Sequence, residues 1–147
     1  MEKEFLIKGP ISSEKISEII SKETENIGVG AQSIFIGQVR SDKIEGKRVS
    51  KICYTAYPEM VKVEIERIKD KIFENYPDVR NIEILHSKGD IKVGEISLIV
   101  CVSGGHRKET RDACNKTVDM IKSFVPIWKK EYIGEGEEFH WRENEKE

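Results

Sequence analysis

Apolar residues recur along this chain at two spacings, near 3.6 and near 2, and the changes between them mark out its elements. A short apolar run, Phe5 to Ile7, stops at Gly9-Pro10, and Ser12 or Ser13 then caps a helix whose Ile16, Ile19 and Ile20 share one face. After Gly28 and Gly30, AQSIFIGQVR reads as a strand. SDKIEGKR is a polar loop leading into a second strand, VSKICYTAY, and the two predict a hairpin with a long, mobile tip. Pro58 suits the first turn of a helix in which Val61, Ile65, Ile68 and Ile72 keep helical spacing until Tyr76-Pro77 stops it. NIEILHSKG and EISLIVCVSGG follow as strands. In the second, Ile96, Leu98, Val100 and Val102 alternate with Ile99 and Cys101, and apolar residues on both faces predict a central, covered strand. Gly104-Gly105 turns the chain into a third helix with Ala113, Thr117, Val118 and Ile121 as its buried stripe, ended by Val125 or earlier because of Pro126. Aromatic and β-branched residues on either side of Gly134 and Gly136 predict a terminal hairpin. Interspersed helices and strands of this kind predict an α+β fold: one domain spanning 1–147, with a mixed or mostly antiparallel sheet and about three helices.

Composition narrows the classes. With 147 residues, 35% charged and 37% hydrophobic, the chain can bury a core of its own and lies outside the disordered corner. A net charge of −2 supplies no global basic field, so any anion site is local and a general nucleic-acid binder is excluded. Cys53, Cys101 and Cys114 are odd in number and lack the close spacing of zinc ligands or of a CxxC pair, so reduced thiols and a cytoplasmic protein without a metal are expected. No apolar run approaches the ~20 residues of a membrane span, and MEKEFLIKG lacks the core of a signal peptide.

Charge becomes informative locally. From Gly105 to Lys130 there are seven Lys or Arg against three Asp or Glu, an excess of four. This is either a solvated helix face or an anion site. At Gly104-Gly105-His106-Arg107 a buried strand meets a helix, where backbone N–H groups, the helix dipole and Arg107 can meet an anion; His106 reads equally as a structural histidine, and Arg40 as a strand-end charge. Lys122 and Lys129 stand on either side of Pro126, beside Trp128. Such a setting can make a proton-transfer group of a lysine by desolvation, while the plainer role for Lys122 is to complement the helix C-terminus.

Four strings carry a resemblance: FIGQVRSD from residue 35, YTAYPEM at 54–60, VSGGHRKET near 105 and VDMIKSFVPIWKKE at 118–131. In order and spacing they resemble the large catalytic subunits of molybdopterin synthase, from about Gly28 to Trp141. The resemblance implies a hammerhead-like α+β subunit without a cofactor. It implies a homodimer that binds one small ubiquitin-like sulfur carrier at each end, as a heterotetramer. It further implies a sulfurtransferase, passing sulfur from the carrier's C-terminal Gly-Gly thiocarboxylate to cyclic pyranopterin monophosphate to build the dithiolene of molybdopterin. Carried over by position, Lys122 is the expected catalytic residue and Lys129 its assistant; from the residues themselves, Trp128 and Phe124 are the expected walls of the Lys122 pocket. Gln38, Val39, Arg40, His106, Arg107, Lys130 and Glu131 join the two lysines as expected substrate-binding positions. The chain departs from the family's usual residues at Ser87, where Arg is common, and at Thr55, where Glu is common. Two other classes compete: a non-catalytic module binding a ubiquitin-like tail or a small phosphorylated ligand, and a thiol enzyme using Cys114 or Cys53.

Overall fold

Strand β6 (Ile96–Gly104) is buried on both faces and sets the plan of the molecule. The computed structural model describes residues 5–136 and 138–142. On one face of β6, Leu98, Val100 and Val102 enter the main core under helices α2 (Pro58–Asn75) and α3 (Arg107–Phe124). On the other, Ile99 and Cys101 meet Ile11, Leu85 and Ile19, the last from helix α1 (Ser13–Glu23). The expected alternation holds except at Ile96, which packs with Ile99 and Cys101 rather than with Leu98. The cause is a bulge: Gly37 pairs with Leu98 but Gln38 with Ile96, so Ser97 is the extra residue and parity flips there.

The helices form where the periodicity places them. Ser12 caps α1 by accepting from the Lys15 N–H at 3.1 Å. Val61, Ile65, Ile68 and Ile72 of α2 are all at most 1% exposed. Thr110, Ala113, Cys114, Thr117, Met120 and Ile121 form the buried stripe of α3, with Val118 packed at its border. Val125 then takes an extended conformation, as the residue before a proline must.

The expected hairpin between FIGQVR and VSKICYTAY does not form. β2 (Ala31–Gln38) lies at one edge of the sheet beside β6, and β4 (Lys47–Ala56) pairs instead with β5 (Val79–Lys92) and β7 (Ile127–Ile133). The order is β2-β6-β5-β4-β7-β8, where β8 is Phe139–Arg142, so two strands separate the supposed partners. The polar segment between them folds on itself: β3 (Lys43–Ile44) pairs with the start of β4 across Glu45-Gly46, both at positive φ. A doubly covered β6 needs neighbours along both edges, and a local two-residue turn satisfies the loop without β2. β1 (Leu6–Lys8) is the parallel strand, against β5, and β7 with β8 form the expected terminal hairpin. Three helices over a mostly antiparallel sheet agree with the α+β expectation.

Candidate active site

Helix α3 delivers Lys122 in its last turn, Pro126 turns the chain, and the alternation of β7 then points Ile127, Lys129, Glu131 and Ile133 inward. Lys129 is only 8% exposed. Both lysines line a cleft of about 290 Å³ with Gln38 from β2, Arg40 and Asp42 beyond it, Tyr54 from β4 and Ser97 at the β6 bulge. Arg142 of β8 closes the rim. Four cationic side chains and one carboxylate thus share one small space. Asp42 is engaged by Arg40 Nε at 2.5 Å and by Arg142 Nη1 at 3.6 Å, and the Arg40 hydrogen bond, outweighing desolvation, holds its carboxyl below the usual range.

Behind the lysines lies a buried aromatic pair. His86, 4% exposed, meets the Tyr54 ring edge-on with centroids 4.9 Å apart, and the Tyr54 hydroxyl donates to Ser97 Oγ at 3.3 Å. His86 Nδ1 lies 2.7 Å from the Ser87 carbonyl oxygen, an acceptor only, so Nδ1 carries the proton and Nε2 the lone pair. Burial pushes the His86 pKa down to about 4 against that hydrogen bond, and the charges of Lys122 and Lys129 push the same way. One neutral imidazole therefore feels both lysines. Burial also raises the Tyr54 hydroxyl, so it stays protonated at neutral pH.

One chain brings together Gln38, Arg40, Lys122 and Lys129, as expected from the sequence. Val39 is turned into the core at 2% exposure, and its backbone N–H and carbonyl are taken by Glu95 and Gly94, so its part is to place its neighbours. Glu131 lies beneath Arg142, 3.5 Å from Nη1, and accepts from His140 at 2.8 Å. Lys130 is on the other face of β7, its ammonium 3.8 Å from the centre of the Phe139 ring. His106 and Arg107 stand at the opposite end of α3, roughly 22 Å from Lys122 at the ordinary helical rise. The open anion site read at Gly104-Gly105-His106-Arg107 is also corrected. The anion on that helix end is the chain's own Asp78, whose Oδ2 accepts from the His106 backbone N–H at 2.7 Å. Trp128 and Phe124 do not wall the lysines either. Trp128, 44% exposed, faces away and meets Tyr57 edge-on, while Phe124, 53% exposed, lies under Arg67 in a groove with Met60 and Val63.

Sequence reasoning missed Arg142, Tyr54, His86, Ser97 and Asp42. Tyr54, which alternates with Ile52 toward the core side of β4, and Asp42, which closes the FIGQVRSD string, carried a usable signal. The cysteines stay outside the cleft. Burial drives Cys101 up to about 12 and raises Cys114, and Cys53, also raised by burial, sits on the face of β4 opposite Tyr54. Among the described residues no group of three His, Cys, Asp or Glu is placed to hold a metal ion, and no helix is long and apolar enough to cross a membrane.

Comparison with known proteins places this geometry. The family model described as MoaE protein matches residues 6–124. The molybdopterin synthase catalytic subunit of Dictyostelium discoideum is 42% identical over 118 residues, which are 78% of this chain and 73% of that protein. The corresponding subunit of Drosophila melanogaster is 33% identical over 139 residues, 95% of this chain, which spans only 36% of that longer protein. Among solved structures, molybdopterin synthase from Staphylococcus aureus superposes with a TM-score of 0.82 at 31% identity, covering 97% of this chain and 98% of that one. A complex of subunits 1 and 2 of the molybdopterin-converting factor of Helicobacter pylori shares the fold, with a TM-score of 0.78 at 21% identity over 96% and 90% of the two chains.

Proposed function

The chain belongs to the MoaE family, that of the molybdopterin synthase catalytic subunits, and from that premise we propose that it is a sulfurtransferase acting on cyclic pyranopterin monophosphate. The sulfur comes from the C-terminal thiocarboxylate of a small ubiquitin-like carrier. In each of two rounds a carbon–sulfur bond to the pterin forms as a carbon–oxygen bond of the precursor's side chain breaks, its oxygen leaving as water or on the phosphate; water then cleaves the carrier's acyl carbon–sulfur bond, leaving the sulfur on the pterin and a carboxylate on the carrier. The observation that carries this reading is the convergence of Lys122 and Lys129, from different elements, on one cleft with Arg40 and Arg142. A phosphate and a thiocarboxylate are both anions, and pre-placed cations with one buried lysine answer both. The cleft holds none of the three thiols, so the sulfur has to arrive with a partner.

The working unit in this reading is a homodimer with one carrier per subunit. β2 is an edge strand, and a second copy pairing antiparallel there about a two-fold axis continues the sheet. β2 begins opposite Gly104, beside His106, and ends at Gln38, beside the cleft. Eight strand residues span roughly 26 Å, close to the roughly 22 Å from Arg107 to Lys122 along α3. Such a two-fold would bring His106 and Arg107 of each copy to the Gln38–Arg40 end of the other, beside the two lysines.

The test is reconstitution. Purified chain, thiocarboxylated carrier and pyranopterin precursor are incubated, and molybdopterin is detected as its oxidised fluorescent product. The expected result is product dependent on all three components. Product without carrier, or none with everything present, overturns the reading.

A further inference from the structure

We propose that Asp78 is a positioning residue of the composite site, fixing the His106 imidazole so that the Nε2 lone pair is presented as an acceptor to an N–H or O–H group of the phosphorylated pterin. The inference rests on the reading above, in which His106 serves the neighbouring copy's cleft. Asp78 lies at the start of β5, 28 positions before His106, and nothing in the sequence joins the two.

The His106 side chain is 88% exposed, so packing does not orient it. What anchors it is one carboxylate oxygen. Asp78 Oδ2 accepts from the His106 backbone N–H at 2.7 Å and lies 3.1 Å from Nδ1 of the same ring. An ionised carboxylate can only accept, so Nδ1 is the protonated nitrogen and Nε2 faces outward. Desolvation works against the Asp78 charge, but the two hydrogen bonds from His106 and the charges of His106 and Arg80 hold its carboxyl below the usual range.

Asp78 is in turn built in. Its backbone N–H donates to Glu109 Oε2 at 2.5 Å, its carbonyl accepts from the Gly105 N–H at 3.2 Å, and Arg80 Nη2 lies 4.0 Å from Oδ1. The double glycine now has a reason. A Cβ on Gly105 would stand 2.5 Å from Asp78 Oδ1, so glycine there lets the carboxylate sit this close to the helix end, while one on Gly104 would crowd Thr110 Oγ1. A cap alone would need the backbone contact; the second contact, to the ring, is what a presented imidazole needs.

The experiment uses the full chain with thiocarboxylated carrier and pyranopterin precursor, comparing Asp78→Asn, His106→Ala and the double variant. Asparagine keeps an acceptor oxygen without the charge and so weakens both His106 hydrogen bonds, while Asp78→Ala, the second variant, removes them. The expected result for Asp78→Asn is an increase of about 3- to 10-fold in KM for the precursor with kcat within about 2-fold. Nitrogen-15 spectra of the His106 ring should show Nδ1–H giving way to Nε2–H in Asp78→Ala, and in the His106→Ala background Asp78→Asn should add no further loss. A raised KM in His106→Ala beside an unchanged KM in both Asp78 variants and an unchanged ring tautomer in Asp78→Ala overturns the role of Asp78 while leaving the site reading intact. An equal loss from Asp78→Asn with and without His106, accompanied by a lowered melting temperature, shows a structural role and also overturns it. Wild-type kinetics in His106→Ala remove the reading of the site itself.

Discussion

Lys129 of β7 stands opposite Arg142 of β8 in the antiparallel register, so this arginine sits beside the more buried of the two cleft lysines. Glu131, two positions along β7 and 3% exposed, holds Arg142 from beneath at 3.5 Å. An arginine so placed shapes the rim without touching the chemistry of Lys122. Arg142→Ala should raise KM for the pterin precursor about 10-fold, leave kcat within about 2-fold, and reduce the dependence of binding on salt. Steady-state kinetics at two ionic strengths decide it; unchanged KM at both removes Arg142 from the binding surface.

Arg107 and Lys122 lie at opposite ends of one helix, and this makes complementation informative. In a dimer of Lys122→Ala with Arg107→Ala, one composite site carries both substitutions and the other carries neither. Two preparations, each nearly inactive, should after unfolding and refolding together recover about a quarter of wild-type activity, since half the dimers are mixed and half their sites intact. A mixture no more active than its parts argues that each subunit works alone.

The helices and the strand faces were legible because their signals are local: Val61, Ile65, Ile68 and Ile72 identify a buried helix stripe without reference to any other segment. Strand partners were not. Ile34 pairs with Cys101 and Cys53 with Lys130, and a hairpin drawn between sequence neighbours missed both. The site divides in the same way. Lys122, Lys129, Gln38 and Arg40 were readable as strings, whereas Arg142 reaches the cleft only through strand register, and His86 bears on the lysines only through its burial against Tyr54. The misplaced Trp128 wall was avoidable, for adjacent strand residues point to opposite faces, and an inward Lys129 requires an outward Trp128.

His86 gives the fold a defined acid sensitivity. Its folded pKa is about 4, below the ordinary 6.5. Between those values the unfolded chain binds the extra proton and the folded chain does not, so stability falls as pH drops from 6.5 toward 4 and levels off below. The full effect is on the order of 3 kcal/mol. His86→Phe keeps an aromatic ring against Tyr54 but cannot titrate. Urea unfolding at pH 7 and pH 4.5 should show a smaller acid loss in the variant than in the wild type; equal losses would mean that the imidazole is not buried neutral.

The thiols should be bystanders. Cys101 and Cys114 are buried with raised pKa values, and Cys53 lies across β4 from the cleft. Iodoacetamide at pH 7.5 should leave Cys101 and Cys114 unmodified in the folded protein and leave sulfur transfer intact even where Cys53 reacts. Mass spectrometry beside an activity assay checks both, and inactivation that tracks labelling of one cysteine would revive a thiol mechanism.

Lys122 should be the residue whose loss costs most. It is held at the end of α3 against the His86–Tyr54 pair, where Lys129, Arg40 and Arg142 already supply positive charge for anion binding. A fourth cation adds little to binding that three others provide, so the contribution expected of Lys122 is proton transfer as sulfur leaves the carrier's acyl carbon. General acid–base help of that kind is worth roughly a hundred- to ten-thousand-fold in rate. Arginine separates the two roles, because it keeps the charge and cannot release a proton at neutral pH. If Lys122 only anchors an anion, Lys122→Arg retains much of the activity. If it moves protons, Lys122→Arg and Lys122→Ala fall together by about a hundredfold or more while both still bind the carrier. Lys129→Ala should lose less, because its place between Arg142 and the buried ring suits holding the tail rather than serving the leaving sulfur. Single-turnover product formation beside a carrier-binding titration reads both quantities, and near wild-type turnover in Lys122→Ala would end the catalytic assignment.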